Sequence, residues 1–311
     1  MVSIPNLAVN LAPNHPSGLH LKNPVMPASG TFGYGTEYAK LIDVEELGAV
    51  ISKAVTLYPR DGNPQPRIAE TPSGMLNAIG LQNIGVEAVI REKCPIWARW
   101  KVPVIVNVAE FSVEGYVAVV ERLNDAPGVA AIELNISCPN VRSEGEMFGL
   151  SCESAAEVTA AVREVCDLPL IVKLSPNVTD VATIAEAVVA AGADALSLIN
   201  TIPGMVIDLK RRRPYLANVT GGLSGPAIRP IAIRMVYEVA QAVDVPLIGI
   251  GGIATADDAL QFIMAGASAV QVGTATFVNP RAALEIIAGI RAFCEREGIR
   301  EISELVGAAL P

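Results

Sequence analysis

Histidine is nearly absent from this chain. Only His15 and His20 occur, both in the N-terminal segment. A histidine-based triad or a zinc hydrolase is therefore close to excluded. Cysteine is sparse as well. Cys94, Cys138, Cys152, Cys166 and Cys294 are odd in number, widely spaced and without any C-x-x-C. That set supports no disulfide framework, zinc site or iron–sulfur ligation within the chain, and it fits a reducing cytoplasm. Positive charge is in deficit: 23 Lys and Arg stand against 32 Asp and Glu, for a net charge of −9. Such a balance disfavours nucleic acid and anionic membranes as partners and mostly serves solubility. No run approaches the roughly 18 apolar residues of a membrane span. The opening MVSIPNLAVNLAPNHPSG lacks the basic and apolar regions of a signal peptide.

What is present is a repeating alternation of short apolar runs and amphipathic segments. With 311 residues, 51% of them hydrophobic, the chain has room for one large α/β domain or two small ones. Eight runs rich in β-branched residues read as strands: 24–29, 47–53, 103–109, 129–137, 169–174, 193–200, 246–251 and 268–273. Continuous apolar strands imply burial on both faces, as in a parallel sheet. Helices are predicted over 112–126, 152–166, 179–191, 228–243, 255–265 and 279–297, with Ser151 and Thr179 as N-caps. Eight strand–helix units in this length are the arithmetic of a TIM (β/α)8 barrel. No internal linker is visible, so residues 1–311 are expected to form one domain. The first 22 residues read as a short β-hairpin closing the barrel bottom. Segments 54–102 and 201–227 are too long for plain connections, and 138–150 is a moderate loop. All three follow strand C-termini, the face that carries active sites in this fold.

Several strand ends carry chemistry. GIGGIAT (249–255) and VGTATF (272–277) place glycines between a strand and a helix, where backbone N–H groups can approach a phosphate. The first also matches the loose dinucleotide pattern G-x-G-x-x-G/A, but the next strand ends in Gly273-Thr274 rather than in a ribose-binding acid. A phosphate cup is the better reading. Lys53 and Lys173 end strands two and five behind apolar residues and point to the barrel mouth. There they meet an anion, or else an ion-pair partner such as Glu133. Asn77, Asn107, Asn135 and Asn200 lie on four different units predicted to share one face. Their amides suit a ring with alternating C=O and N–H groups, flavin and pyrimidine alike. Cys138 opens the loop after strand four, in ELNISCPN, with Pro139 stopping any helix. At that place a thiol is a nucleophile or a general base. The other four cysteines fall on helices or connectors and read as buried, unreactive thiols.

Together, NPVMPASGTFGYGTEY, SKAVTLYPRDGNPQPRIAETPSGMLNAIGLQN, NISCPNVRSEGEMFG, IVKLSPN, LINTIPGMVIDLKRRRPYLANVTGGLSGPAIRP and IGIGGI with VQVGTATF resemble the dihydroorotate dehydrogenase family over nearly the whole chain. The type resembled is class 1, NAD-linked (type B), in its catalytic subunit. In that type a Cys holds this loop position where membrane-bound class 2 enzymes use Ser. One stretch departs from the pattern: NVRSEGEMFG is more acidic than the Gly-rich flap of the family.

The resemblance implies an FMN-containing barrel that oxidises dihydroorotate to orotate in pyrimidine synthesis. By motif match, Ser29, Lys53, Ala54, Asn107, Asn135, Lys173, Ile199, Gly225, Gly251, Gly252, Gly273 and Thr274 would line FMN. Lys53, Asn77, Ala78, Ile79, Gly80, Leu81, Asn135, Asn200 and Thr201 would hold the substrate. Cys138 would be the catalytic base, with Lys53 and Lys173 completing the catalytic set, and no metal is implied. It further implies a cytoplasmic homodimer within a heterotetramer, whose partner subunits carry FAD and a [2Fe–2S] cluster and reduce NAD+. The rival readings are a type A-like enzyme using fumarate, a related FMN-dependent dihydropyrimidine dehydrogenase, a flavin-free barrel acting on a sugar phosphate, and a non-catalytic scaffold.

Overall fold

The computed structural model describes residues 4–137 and 148–311. Its centre is an eight-stranded sheet in which every pairing is parallel. The strands are β1 (Val25–Pro27), β2 (Val50–Ile51), β3 (Val104–Val108), β4 (Val129–Asn135), β5 (Leu170–Lys173), β6 (Ala195–Leu198), β7 (Leu247–Ile250) and β8 (Ala267–Val272). Pairing runs from β2 through β3 to β8 in sequence order, and then from β8 to β1. The remaining seam, between β1 and β2, is closed by the Gly48 N–H donating to the Val25 carbonyl at 2.9 Å. The eight strands expected from the apolar runs are all present, the last beginning one residue earlier than predicted.

Helices connect the strands, as the amphipathic segments require. The long ones are α1 (Val113–Leu123), α2 (Cys152–Val165), α3 (Val181–Ala190), α4 (Arg229–Ala240), α5 (Ala256–Met264) and α6 (Ala282–Glu297). Ser151 caps α2 as expected, accepting from the Ser154 N–H. Thr179 does not cap α3. Asp180 does, its carboxylate accepting from the N–H groups of Ala182 and Thr183. Asp is at least as strong a cap as Thr and its charge adds a favourable interaction with the helix N-terminus, so the start moves one residue on. Among the described residues no helix is long and apolar enough to cross a membrane.

Strand periodicity sorts side chains into two cores. Val104, Val106, Ile132, Leu134, Leu170, Val172, Leu196, Leu198, Val270 and Val272 face outward and join the helices in one large cluster. Their neighbours Met26, Ile51, Ile105, Ala131, Ile171, Ala195, Ile248 and Ala269, one from each strand, meet inside the barrel. The N-terminal hairpin pairs Val9 with Leu21 and Asn10 with His20. Its Leu11, Ala12, Leu19 and Leu21 belong to that same inner cluster, so the hairpin plugs the barrel bottom as expected.

At the other end the two long insertions meet. Ile68–Thr71 and Gly74–Asn77 come from the first, Ile202–Gly204 and Gly221–Ser224 from the second. They form one four-stranded antiparallel sheet, joined where Gly74–Asn77 pairs with Gly221–Ser224. The insertions were expected at this face. Their fusion into a single sheet was not, because strand pairing across about 145 residues leaves no local mark.

The seam between β1 and β2 gives a direct test. A Cβ on Gly48 would lie 2.2 Å from the Asn23 carbonyl oxygen, a backbone atom with no freedom to retreat. Gly48→Ala is expected to lower stability by about 3 kcal/mol, the upper end for overpacking a filled site. Urea unfolding followed by circular dichroism checks it. An unchanged midpoint would show that this edge of the barrel yields.

Candidate active site

Two residues above the apolar layer inside the barrel, the same strand faces turn polar. Ile105 is followed by Asn107, Ala131 by Glu133 and Asn135, Ile171 by Lys173, Ala195 by Ser197, and Ala269 by Gln271. These groups converge on Glu133, which is fully buried. Its Oε1 accepts from Asn107 Nδ2 at 2.6 Å, and its Oε2 accepts from Ser197 Oγ at 3.0 Å and from Gln271 Nε2 at 2.5 Å. Lys173 Nζ stands 3.7 Å from Oε1. A carboxylate in such a place survives only when fully paired, and removing one partner of a buried pair costs about 3–5 kcal/mol. The Gln271 amide, in giving its N–H to Glu133, leaves its own Oε1 buried without a partner. That carries a further penalty of about 1–3 kcal/mol.

Above this layer lies a cavity of about 330 Å3 between the barrel strand ends and the four-stranded sheet. The volume suits a small-molecule site. Lys173 and Asn135 form part of its floor, and Ser29, Lys53, Ala54, Ile199, Gly225, Gly251, Gly252, Gly273 and Thr274 line it. Asn77, Ile79, Gly80, Leu81, Asn200 and Thr201 also line it. Two residues of the expected set sit elsewhere. Asn107 is fully buried beneath the floor, between Glu133 and Asn135. Ala78 packs into a small apolar cluster with Ala69, Leu76 and Leu216. Cys138 lies outside the described residues.

The glycine turns after β7 and β8 have spare donors. The N–H groups of Ala254 and Thr255 are taken by the Asp258 carboxylate, which also pairs with Arg229. None of the turn and loop hydrogen bonds among the described residues uses the N–H groups of Gly252, Gly273 or Thr274. Gly252 has φ +73°, and a Cβ there would lie 2.6 Å from the Gly225 carbonyl oxygen. Only glycine allows the β7 turn to approach the backbone at Gly225, just past the overlying strand Gly221–Ser224, so closely. Thr274 Oγ1 donates to Ser224 Oγ at 2.8 Å, tying the β8 turn to the overlying sheet. Backbone donors left free of such bonds on glycine turns suit an anion.

The amides form a second group. Asn135 Oδ1 accepts from Ser137 Oγ at 2.9 Å, and Asn200 Nδ2 donates to the same hydroxyl at 2.9 Å. Tyr116 donates its hydroxyl to the Asn135 carbonyl at 2.8 Å, which anchors the end of β4. The segment 77–81 is held by Asn63, whose N–H donates to the Ile79 carbonyl at 2.9 Å, and by Asn83, whose Nδ2 donates to the Leu81 carbonyl at 2.7 Å. Ser137, Ser224, Gln82 and Phe277 were not anticipated. Ser137 was legible as the next step in the alternation Glu133, Asn135, Ser137. Ser224, on the overlying sheet, had no such signal.

The lysines differ. Lys173 makes the ion pair with Glu133 that was one reading of a strand-end lysine, and it also reaches the cavity. Lys53 lines the cavity, and its pKa is pushed below the ordinary lysine value, chiefly by burial and then by Arg67, with Glu37 opposing. Cys94, Cys166 and Cys294 are buried thiols with raised pKa values, Cys94 up to about 11 through burial, as expected of unreactive cysteines. Cys152 is exposed rather than buried. It is the first residue of α2, next to the Ser151 N-cap.

The family model described as dihydroorotate dehydrogenase matches residues 12–294. A protein of Pelobacter propionicus named "Dihydroorotate dehydrogenase B (NAD(+)), catalytic subunit" is 59% identical over 98% of this chain and 98% of its own length. Proteins of the same name from Geotalea uraniireducens and Anoxybacillus flavithermus are 57% and 58% identical. They cover 98% and 93% of this chain, and 99% and 93% of their own lengths. With its barrel, its glycine cup and its amide-lined cavity, the chain belongs to the dihydroorotate dehydrogenase family.

Proposed function

We propose that this chain oxidises dihydroorotate to orotate in pyrimidine synthesis, using FMN, and that the electrons leave through a partner subunit to NAD+. The observation that carries the reading is one cavity combining a cup of unused backbone donors with a cation, Lys53, and the amides of Asn77, Asn135 and Asn200. The first suits a phosphate. The second suits an anionic ring whose edge alternates C=O and N–H. The names of the relatives supply the NAD+ linkage and, in the word subunit, the partner.

The residues fit FMN. Gly252, Gly273 and Thr274 would hold its phosphate, with Gly225 and Gly251 shaping the turns. Asn135, Lys173, Ser29, Ala54 and Ile199 would hold its ring system, with Asn107 supporting them from below. When bound, FMN supplies a two-electron acceptor. The chain's own residues do the rest. Lys53 binds the substrate carboxylate as an ammonium. Asn77, Asn135, Asn200 and Thr201, with segment 78–81, hold the ring amides so that the C5–H faces the base. Cys138, next in sequence after Ser137, takes the C5 proton on its thiolate. The reference pKa of a thiol is about 8.5, so turnover rises with pH as the thiolate fraction grows. Residues 1–311 act as one FMN-binding domain. Two such chains pair, each with a partner subunit carrying FAD and a [2Fe–2S] cluster, in the cytoplasm.

Three measurements test this reading. Cys138→Ala is expected to retain FMN while flavin reduction by dihydroorotate, followed by stopped-flow absorbance, slows about 10²–10⁴-fold, the usual loss for a general base. Near-normal reduction at neutral pH would return Cys138 to a structural role.

Lys53 gives a pH dependence with a definite sign. Its free-state pKa is lowered, so the cation is lost at a lower pH than for an ordinary lysine, and a bound anion raises the pKa again. Orotate affinity therefore falls as pH rises through the lowered value. Lys53→Ala is expected to flatten that profile and cost about 1.5–3 kcal/mol of binding below it. Titration calorimetry at several pH values checks both points, and an unchanged affinity in the variant would exclude Lys53 from the carboxylate site.

Turnover of the purified chain with NAD+, with fumarate and with an artificial dye tests the electron route. Dye reduction alone is expected. Strong NAD+ reduction without a partner would defeat the two-subunit reading, and strong fumarate reduction would make the enzyme type A-like.

A further inference from the structure

We propose that Glu133 is a positioning residue that sets the redox potential of the bound cofactor by holding, and partly offsetting, the charge of Lys173. The inference rests on the FMN reading above and extends it to a residue that does not line the cavity.

Every described side chain bonded to Glu133 is a donor: Asn107 from β3, Ser197 from β6 and Gln271 from β8. Those donors hold the carboxylate in place, and none carries a charge. The cationic partner is Lys173 on β5, at 3.7 Å. That distance is beyond a hydrogen bond. The ammonium is attracted to the carboxylate, while its N–H groups stay available to the cavity that Lys173 lines. Its side chain is 7% exposed and that of Glu133 is 0% exposed, so water screens neither charge effectively.

Packing alone does not account for a charged centre here. Replacing a buried ion pair by apolar groups of similar size is often neutral or stabilising. This site instead turns the Gln271 amide to serve the carboxylate and strands its Oε1. The arrangement has an electrostatic consequence. Glu133 places a negative charge below the positive one of Lys173, so the cavity feels a damped cation. A cofactor that gains two electrons is stabilised by positive potential more in its reduced state than in its oxidised state. Glu133 therefore holds the potential lower than an unpaired Lys173 would.

The test is the midpoint potential of the FMN-loaded protein, measured by dye equilibration for the unaltered chain, Glu133→Gln, Lys173→Gln and the double variant. Glu133→Gln is expected to raise the potential, increasing the ratio of reduced to oxidised FMN affinity about tenfold, which for a two-electron couple is about 30 mV. Lys173→Gln is expected to lower it, and the double variant to fall between the two. A merely structural role would weaken FMN binding or stability without opposite signs. Should Glu133→Gln fail to fold, Glu133→Asp keeps the charge but draws it back, and gives a smaller rise. An unmoved or lowered potential in these Glu133 variants, with FMN bound, would overturn the inference alone. Failure of the unaltered protein to bind FMN at all would overturn the functional reading and this inference with it.

Discussion

One buried carboxylate constrains the centre of this barrel. Glu133 lies at the mid-level of β4, fully excluded from water. It is tenable there only because β3, β5, β6 and β8 each bring a donor or a cation to it. The strand registers bring them there: Asn107 is opposite Glu133 and Ser197 is opposite Lys173, while β5 is stepped against β4 so that Ile171 is opposite Glu133 and Lys173 is opposite Asn135. A one-residue slip of any strand would turn its polar group into the helix layer and an apolar one toward the carboxylate. The interaction that makes the site electrostatically possible thus also enforces the register.

The period-2 geometry of strands then builds the molecule in storeys. At the bottom the hairpin residues Leu11, Leu19 and Leu21 seal an apolar layer. Two residues higher comes the polar layer around Glu133. Two residues higher again, or at the turns just beyond, come Asn135, Gly251 and Gly273, which line the cavity together with Lys53, two residues beyond Ile51. The same strands are uniformly apolar on their outer faces, where the helices pack. Stability and chemistry are therefore carried by alternate residues of the same short strands, with stability at one end of the barrel and ligand contacts at the other.

The overlying sheet does what the barrel cannot do alone. Eight strand ends make a floor and a rim. The pairing of Gly74–Asn77 with Gly221–Ser224 brings Asn77 and Ser224 over that floor, and the Ser224–Thr274 bond fastens this sheet to the turn after β8. The cavity is thus walled by two parts of the chain far apart in sequence. Binding energy from one wall is accordingly available to orient a ligand against groups on the other.

Local pattern determined much of this from the sequence by itself. Apolar, β-branched runs define the eight strands, amphipathic segments define the helices between them, and the count of units defines a closed parallel barrel. The strand-end glycines, lysines and amides were recognisable because a TIM barrel places every strand C-terminus on one face. Other features depended on contacts that no local pattern encodes. Asn107 and Lys173 read alike as strand-end polar groups, yet only Lys173 reaches the cavity, because its chain is long enough to pass Glu133 while the Asn107 amide is consumed by it. Ala78 sits in the middle of a lining segment but turns away, since the extended chain alternates its faces. Asp180 displaced Thr179 as a cap by one residue, a choice between two good caps that backbone geometry makes. The fusion of two insertions into one sheet, and the gathering of four strands' polar groups on a single carboxylate, were decided only by tertiary structure. Both are pairings between distant segments, and their energy exists only once the chain has closed.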